Sequence, residues 1–173
     1  MTKRTIQNGT IVLRGGTIAA IGQNVRVPAG ADVVDATRRF VSPGIIDCHL
    51  RERANGPKVP GELAKDGVTS AFESAGLTDP KDFVRNAAKA VKAGLSADAA
   101  LRAMTIGAAA IAGVADRLGS IERGKTANLI VTDGDLFDEK TKITRVFVEG
   151  RSIAIDLAAS APSGRGRGRG RGF

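Results

Sequence analysis

The chain contains no tryptophan, no tyrosine, one cysteine and one histidine among 173 residues. Its aromatic residues, six phenylalanines, make up 3% of the sequence, so a core must be built from Ala, Val, Ile and Leu. A lone Cys48 forms no disulfide within the chain, which fits a reducing compartment. No apolar run approaches the roughly 20 residues that span a bilayer, and no apolar segment follows the charged N-terminus. We therefore expect a cytoplasmic protein that does not engage membranes.

Positive charge is concentrated at the C-terminus. The formal net charge is +8, and four of its arginines alternate with glycine in residues 161–173, a tail that cannot fold by itself. Guanidinium groups bind phosphate, and a terminal aromatic ring could stack on a base. We expect this tail to bind nucleic acid, RNA rather than DNA, and the alternative is a flexible solubilising tail. The predicted contacts are Arg165, Arg167, Arg169, Arg171 and Phe173.

The first part of the chain has the pattern of β-strands. Residues 10–14 and 17–21 are apolar runs joined by Gly15-Gly16, a pair typical of a tight hairpin turn. Residues 25–27 and 32–35 continue the β pattern, and residues 40–49 predict a loop that enters a buried strand.

The middle of the chain predicts two helices. Residues 51–61 are charged and rich in Pro and Gly, which indicates a connection, and residues 67–72 could form one more strand. Helices are predicted at about 80–93 and 97–112. The start signals are Asp79-Pro80 and Ser96, and the stop signals are Gly94 and Gly113. The second helix is so rich in Ala that it should pack closely against a neighbour.

The last folded part is β again, with strands predicted at 127–131, 145–148 and 151–155, the last two joined across Glu149-Gly150. Strands at both ends of a chain pair only if those ends meet. We therefore predict a single mixed α+β domain over residues 1–160, with one sheet or a small β-sandwich built from both ends and about two packed helices.

Several stretches together resemble the amidohydrolase superfamily, particularly its imidazolonepropionase-like branch. The motifs occur in that family's order at both ends of the chain. They are GGTIAAIG at 15–22, VVDA at 33–36, VSPGIIDCH at 41–49, GLSADAAL at 94–101, GSIERGKTANLIV at 119–131 and VFVEGR at 146–151.

The resemblance implies a small β-sandwich beside a TIM barrel, yet this chain has no room for the barrel. A TIM barrel needs about 250 residues and distributes its catalytic groups over several strands. Between His49 and Asp79 there is room for one strand and some loop, so the ligands expected from the middle strands have no positions to occupy. We predict that no complete TIM barrel is present.

The two flanking ligand motifs also depart from the family pattern. The His-x-His of the first barrel strand is replaced by His49-Leu50-Arg51, where a permanent cation occupies the second ligand position. The Asp of strand eight should fall within residues 71–75, and its best match is Ala75. We therefore predict no catalytic residues, no cofactor and no metal site, with His49 and Arg51 as a vestigial motif.

Other polar residues have simpler structural interpretations. Asp47 and Cys48 have no partners that would make a set of nucleophile, base and orienting group. We interpret Glu52, Asp66 and Glu73 as solvated surface carboxylates. Residues 119–124 lack a phosphate-loop pattern and predict β-turns.

Three hypotheses about function follow. The first is a non-catalytic structural or binding subunit whose Arg-Gly tail binds RNA in a ribonucleoprotein assembly such as a ribosome. The second is a protein-assembly module that forms a homo-oligomer or joins other protein subunits, because the surface once covered by the barrel must be hidden. The third is a residual enzyme with new chemistry.

Overall fold

The computed structural model describes residues 5–48, 59–79 and 82–155. This part of the chain is mixed α+β, as predicted, with two small sheets and several short helices and without a closed barrel. None of its helices is long and apolar enough to cross a membrane. The elements are β1 (Thr10–Arg14), β2 (Thr17–Gly22), β3 (Phe40–Pro43), α1 (Val59–Lys65), α2 (Asp82–Lys92), α3 (Ala97–Ala103), α4 (Ile106–Ile111), β4 (Leu129–Thr132), β5 (Ile143–Val148) and β6 (Arg151–Ala154).

Two glycine-containing turns produce the hairpins that the sequence predicts. Strands β1 and β2 pair antiparallel across Gly15 and Gly16, whose φ angles are +55° and +78°. Strands β5 and β6 pair across Glu149 and Gly150, at +48° and +76°. Two consecutive residues with positive φ form the type of turn whose twist matches a two-residue hairpin.

Strands from both parts of the chain share one sheet, which confirms that prediction. The four-stranded sheet has the order β3-β4-β5-β6, and all its neighbours are antiparallel. Strand β3 pairs with β4, so that Val41 lies opposite Val131. Every residue of β4, which is one of the two inner strands, is buried.

The segment before β4 joins the two-stranded sheet to the four-stranded one. Ile18 N–H donates to the Lys125 carbonyl at 2.8 Å, Ala127 N–H donates to the Gly16 carbonyl at 2.8 Å, and Gly150 N–H donates to the Ala127 carbonyl at 3.0 Å. Ile18, Ala127 and Leu129 form one buried cluster between the sheets. Partly buried neighbours complete it, namely Ile11, Leu13, Ile21, Val41, Ile121 and Phe147.

The helices form a second core that uses small side chains for close approach. Phe83 and Ala87 of α2 pack against Met104 at the end of α3, and Ala90 packs against Leu95 and Ala100. The start signal at Ser96 is confirmed, because its hydroxyl accepts from Ala99 N–H at 3.1 Å. The start predicted at Pro80 lies outside the described residues.

The single helix predicted over residues 97–112 is wrong, because the structure divides it into α3 and α4. Thr105 lies between them with φ −133° and ψ −99°, which is not helical. The Met104 carbonyl, which in a continuous helix would accept from residue 108, accepts from Ile46 N–H at 2.8 Å. A tertiary hydrogen bond to the segment after β3 therefore accompanies the break.

Three predicted strands are also wrong. Residues 25–27, 32–35 and 67–72 are irregular, and Val33 is 74% exposed. Short apolar runs form strands only where a partner strand is available, and none of these runs pairs with a strand, although Phe72 packs against the helical core. Conversely, α1 lies partly in the segment predicted to be a connection. Its signals were a proline in the first turn and Gly67 just beyond its end, at φ +73°.

Gly119 provides a test of this packing. Its φ is +84°, and a Cβ there would lie 2.7 Å from Ala109 Cβ and 2.8 Å from Ile106 Cα. We expect Gly119→Ala to lower the free energy of unfolding by about 3 kcal/mol, because backbone strain and overpacking add.

Gly113→Ala is the matched control. Gly113 has φ +70° but no atom within 4 Å of an added Cβ, so only the backbone cost of about 1 kcal/mol applies. Urea unfolding of both variants measures the difference. Equal losses would show that Gly119 is not packed against α4 as described.

Candidate functional site

The segment after β3 is the one that the resemblance matches to the first barrel strand of the amidohydrolase superfamily. Hydrogen bonds to two different parts of the chain hold this segment in place. Gly44 N–H donates to the Asn128 carbonyl at 2.8 Å, and Ile46 N–H donates to the Met104 carbonyl at 2.8 Å. Because one bond is to the segment before β4 and the other is to the end of α3, residues 44–48 lie between the four-stranded sheet and the helices. His49 and Arg51, for which the vestigial motif stays a prediction, come next in the sequence and are outside the described residues.

Asp47 connects this segment to the one that corresponds to strand eight. Ser74 N–H donates to Asp47 Oδ1 at 2.9 Å, and the Ser74 hydroxyl donates to Asp47 Oδ2. Ser74 directly precedes Ala75, the residue that matches the strand-eight Asp. The structure therefore brings the two flanking motif segments into direct contact. Sequence reasoning missed this pair, since residues so far apart in the chain give no local signal.

A cleft of about 250 Å³ lies at this junction, lined by Ile45, Asp47, Ser74, Leu77 and Phe83. Among the described residues that line it, most are apolar and Asp47 alone is ionisable. Both carboxylate oxygens of Asp47 already accept hydrogen bonds from Ser74. A serine and a carboxylate without a third, orienting group do not form an activated nucleophile.

Cys48 is buried beside this cleft and is not arranged as a nucleophile. Its thiol donates to the Ala108 carbonyl at 3.2 Å, and the residue is 6% exposed. Burial raises the pKa of the Cys48 thiol, and the neighbouring Asp47 carboxylate raises it further. The thiolate, which is the reactive form, is therefore disfavoured at neutral pH.

The carboxylates near the strand-eight segment differ in their surroundings. Asp66 is exposed, in agreement with its interpretation as a solvated side chain. Glu73 is not fully solvated, because the residue is half-buried and its Oε2 atom is buried. The interpretation of Glu73 as a surface carboxylate is therefore wrong. Glu73 directly precedes Ser74 at the junction with Asp47, which explains why it is less exposed than Asp66. Glu52 lies outside the described residues.

The donor set at the junction does not fit the metal centre that the family resemblance would imply. Within residues 5–48, 59–79 and 82–155, no group of three or more His, Cys, Asp or Glu side chains could hold a metal ion. Ala75 offers no donor, the Cys48 thiol faces a carbonyl, and the Asp47 oxygens are bonded to Ser74. A catalytic zinc needs three protein ligands and an open position.

A wider, shallow cleft of about 530 Å³ lies where the end of α2 meets the loop before β5. Its charged groups are engaged locally. Lys92 forms an ion pair with Glu139, and this bond lowers the pKa of the Glu139 carboxyl. Asp135 Oδ1 and Asp138 Oδ1 accept from backbone N–H groups two residues onward, both at 2.9 Å. Hydrogen bonds from a backbone N–H to an aspartate two residues earlier are typical of turns in loops.

The residues predicted to bind nucleic acid all lie outside the described part of the chain. They are Arg165, Arg167, Arg169, Arg171 and Phe173. Binding of nucleic acid by these residues therefore stays a prediction from the sequence.

Comparison with known proteins identifies relatives of this chain. The amidohydrolase family profile matches residues 53–153. A dihydroorotase of Anaeromyxobacter sp. (strain K) is 30% identical over 129 residues, which cover 73% of this chain and 28% of that enzyme. An imidazolonepropionase of Vibrio cholerae is 30% identical over 84 residues, covering 46% of this chain and 21% of the relative.

A solved structure shows the same relationship. The crystal structure of an amidohydrolase from Thermotoga maritima MSB8 superposes with a TM-score of 0.52 at 36% identity, covering 56% of this chain and 26% of that one. The chain thus spans little more than a quarter of the length of this dihydroorotase and of the Thermotoga maritima amidohydrolase. Because the family profile covers more than half of its residues, this chain belongs to the amidohydrolase family.

Proposed function

We propose that this chain is a non-catalytic structural or binding subunit derived from an amidohydrolase. The relatives named dihydroorotase and imidazolonepropionase are enzymes, and the chain aligns with only part of each. The observation that supports the proposal most directly is the bonding of Asp47 to Ser74. These bonds join the segments that would flank the missing middle strands, at the place where catalytic groups of those strands would converge.

The folded body is, in this proposal, a small β-sandwich. The cluster of Ile18, Ala127 and Leu129 lies between the two-stranded and four-stranded sheets, and side chains from both sheets surround it. Sandwiches bury apolar residues between two facing sheets in this way. The two-stranded sheet covers only part of its partner, so the arrangement is a minimal version of that architecture.

The Arg-Gly tail supplies the binding function of this proposal. Arg165, Arg167, Arg169 and Arg171 alternate with glycine, so each can contact a phosphate without steric conflict with its neighbours. Single-stranded RNA offers phosphates and unpaired bases that a chain of this composition can follow. The folded body would then anchor in a ribonucleoprotein assembly such as a ribosome, with other protein subunits as neighbours.

A second candidate function is protein assembly, and exposed apolar side chains of the four-stranded sheet favour it. Phe40, Val148 and Ile153 are 56%, 45% and 50% exposed. Large apolar side chains grouped on one face often mark an interface. In this alternative a second copy or another subunit covers that face.

The non-catalytic proposal predicts the result of a metal analysis. Purified protein should contain no stoichiometric tightly bound transition metal, because His49 is the only histidine and the junction residues are engaged with one another. It should also hydrolyse neither dihydroorotate nor imidazolonepropionate. Elemental analysis and assays with added zinc check both statements. One metal per chain that is lost in His49→Ala, or turnover abolished by that substitution, would contradict the proposal.

The RNA-binding proposal predicts the effect of deleting residues 164–173. The deletion removes four arginines, so the salt slope of binding to single-stranded RNA should fall by roughly three, at ~0.7 per phosphate contact. Thermal stability of the body should change little, because all but one of the deleted residues are Arg or Gly, which offer little apolar side chain to a core. Replacing the four arginines by lysine should weaken binding less than deletion, since charge survives while the planar fork is lost. Unchanged affinity and slope after deletion would refute RNA binding by the tail.

A further inference from the structure

The turn that leads into β1 presents an Asn-Gly pair at the surface of the protein. Residues 5–9 are all exposed, and Asn8 has φ +52°, in the left-handed region that asparagine adopts more readily than most residues. Within the described residues, the Asn8 side-chain amide has no hydrogen-bond partner. In this part of the chain, therefore, no bond holds the amide away from the backbone that follows it.

Two other asparagines, by contrast, are held by hydrogen bonds. Asn86 lies within α2, and its Oδ1 accepts from Lys89 Nζ at 3.1 Å. Asn128 Oδ1 accepts from Glu149 N–H at 2.8 Å, and the Asn128 carbonyl accepts from Gly44 N–H at 2.8 Å. Rotation of either side-chain amide toward the next backbone nitrogen would break these bonds.

The residue that follows each asparagine also differs. Asn24 is exposed, but the β-branched Val25 follows it and crowds the next backbone nitrogen. Asn8 is followed by Gly9, which has no side chain, and the packing of the turn requires this. A Cβ at Gly9 would lie 2.8 Å from Ile6 Cγ2. The turn thus combines an exposed amide with an unhindered backbone nitrogen.

We propose that Asn8 is a site of deamidation through a cyclic imide, which converts Asn8 into a mixture of aspartate and isoaspartate. The Gly9 backbone nitrogen attacks Asn8 Cγ, the Cγ–Nδ2 bond breaks, and ammonia leaves with the proton of the Gly9 N–H. Water then opens the imide. Addition at Cγ breaks the new bond and gives aspartate, whereas addition at the Asn8 backbone carbonyl carbon gives isoaspartate, whose main chain runs through Cγ.

Both products change the turn before β1. Each replaces a neutral amide by a carboxylate, and isoaspartate also lengthens the main chain by one carbon atom. The Gln7 carbonyl, which accepts from Gln23 Nε2 at 3.0 Å, joins this turn to the end of β2. Isoaspartate next to Gln7 should displace that carbonyl. Its α-carboxylate lies in an exposed segment, where a carboxyl methyltransferase that uses S-adenosylmethionine can reach it.

The test compares deamidation of the full-length chain in native buffer and in guanidinium chloride, both at mildly alkaline pH. Tryptic peptides separate the sites, since residues 5–14 contain Asn8 and residues 15–26 contain Asn24. Mass spectrometry should show that the first peptide exchanges its amide for a carboxyl about tenfold faster than the second, because valine hinders the attack. The native rate at Asn8 should lie within about threefold of the denatured rate, because the fold leaves this turn exposed. Asn86 and Asn128 should be protected by folding.

Asn8→Gln is the matched variant, because its longer side chain would have to close a six-membered imide, which forms far more slowly. Incubated native protein should accept methyl groups from a protein isoaspartyl methyltransferase, and Asn8→Gln should lose the share that maps to residues 5–14. A second Asn-Gly pair, Asn55-Gly56, lies outside the described residues, and its peptide is counted separately.

Three results would overturn the inference. A native rate at Asn8 no higher than that at Asn24 would show that the glycine gives no advantage in the folded chain. A native rate tenfold or more below the denatured rate would show that the turn holds the amide in place. Conversion of Asn8 to aspartate without any methyl-accepting product would show direct hydrolysis instead of a cyclic imide.

Discussion

The pairing of β3 with β4 is the constraint on which the rest of this structure depends. It joins a strand from the first part of the chain to the fully buried strand from the last part. Backbone bonds from Lys125 and Ala127 then fix the β1–β2 hairpin and the β5–β6 turn around the same segment. The Lys125 ammonium also donates to the Ala115 carbonyl at 2.7 Å and to the Ser120 hydroxyl, which attaches the end of the helical region. An isolated hairpin is marginal in water, so these connections must form together.

This arrangement shows how a chain that spans about a quarter of the length of these relatives can form a folded body. The parts retained are those that contact one another, and the Asp47–Ser74 bonds close the gap between them. Among the described residues, the junction holds no group of three or more His, Cys, Asp or Glu side chains of the kind that a catalytic zinc needs. The four-stranded sheet leaves Phe40, Val148 and Ile153 largely exposed, and the sequence continues beyond it into the Arg-Gly tail.

Local signals predicted those elements that local chemistry determines. Gly15-Gly16 and Glu149-Gly150 require positive φ in hairpin turns, and the Ser96 hydroxyl satisfies a helix N-terminus. Features determined by tertiary contacts escaped prediction. The break at Thr105 accompanies a bond from Ile46, and the burial of Glu73 Oε2 follows from a junction between distant segments. The apolar runs at 25–27 and 32–35 had the composition of strands, but composition alone does not supply a partner strand.

The central claim is that the body is one cooperative unit made from both ends of an amidohydrolase. Separate expression of residues 1–51 and 79–155, followed by thermal unfolding by circular dichroism, tests it most directly. The first fragment contains β3 without β4, and the second contains β4 without β3. The account predicts that neither fragment unfolds cooperatively by itself, whereas the whole chain does. A sharp unfolding transition from either fragment alone would contradict it.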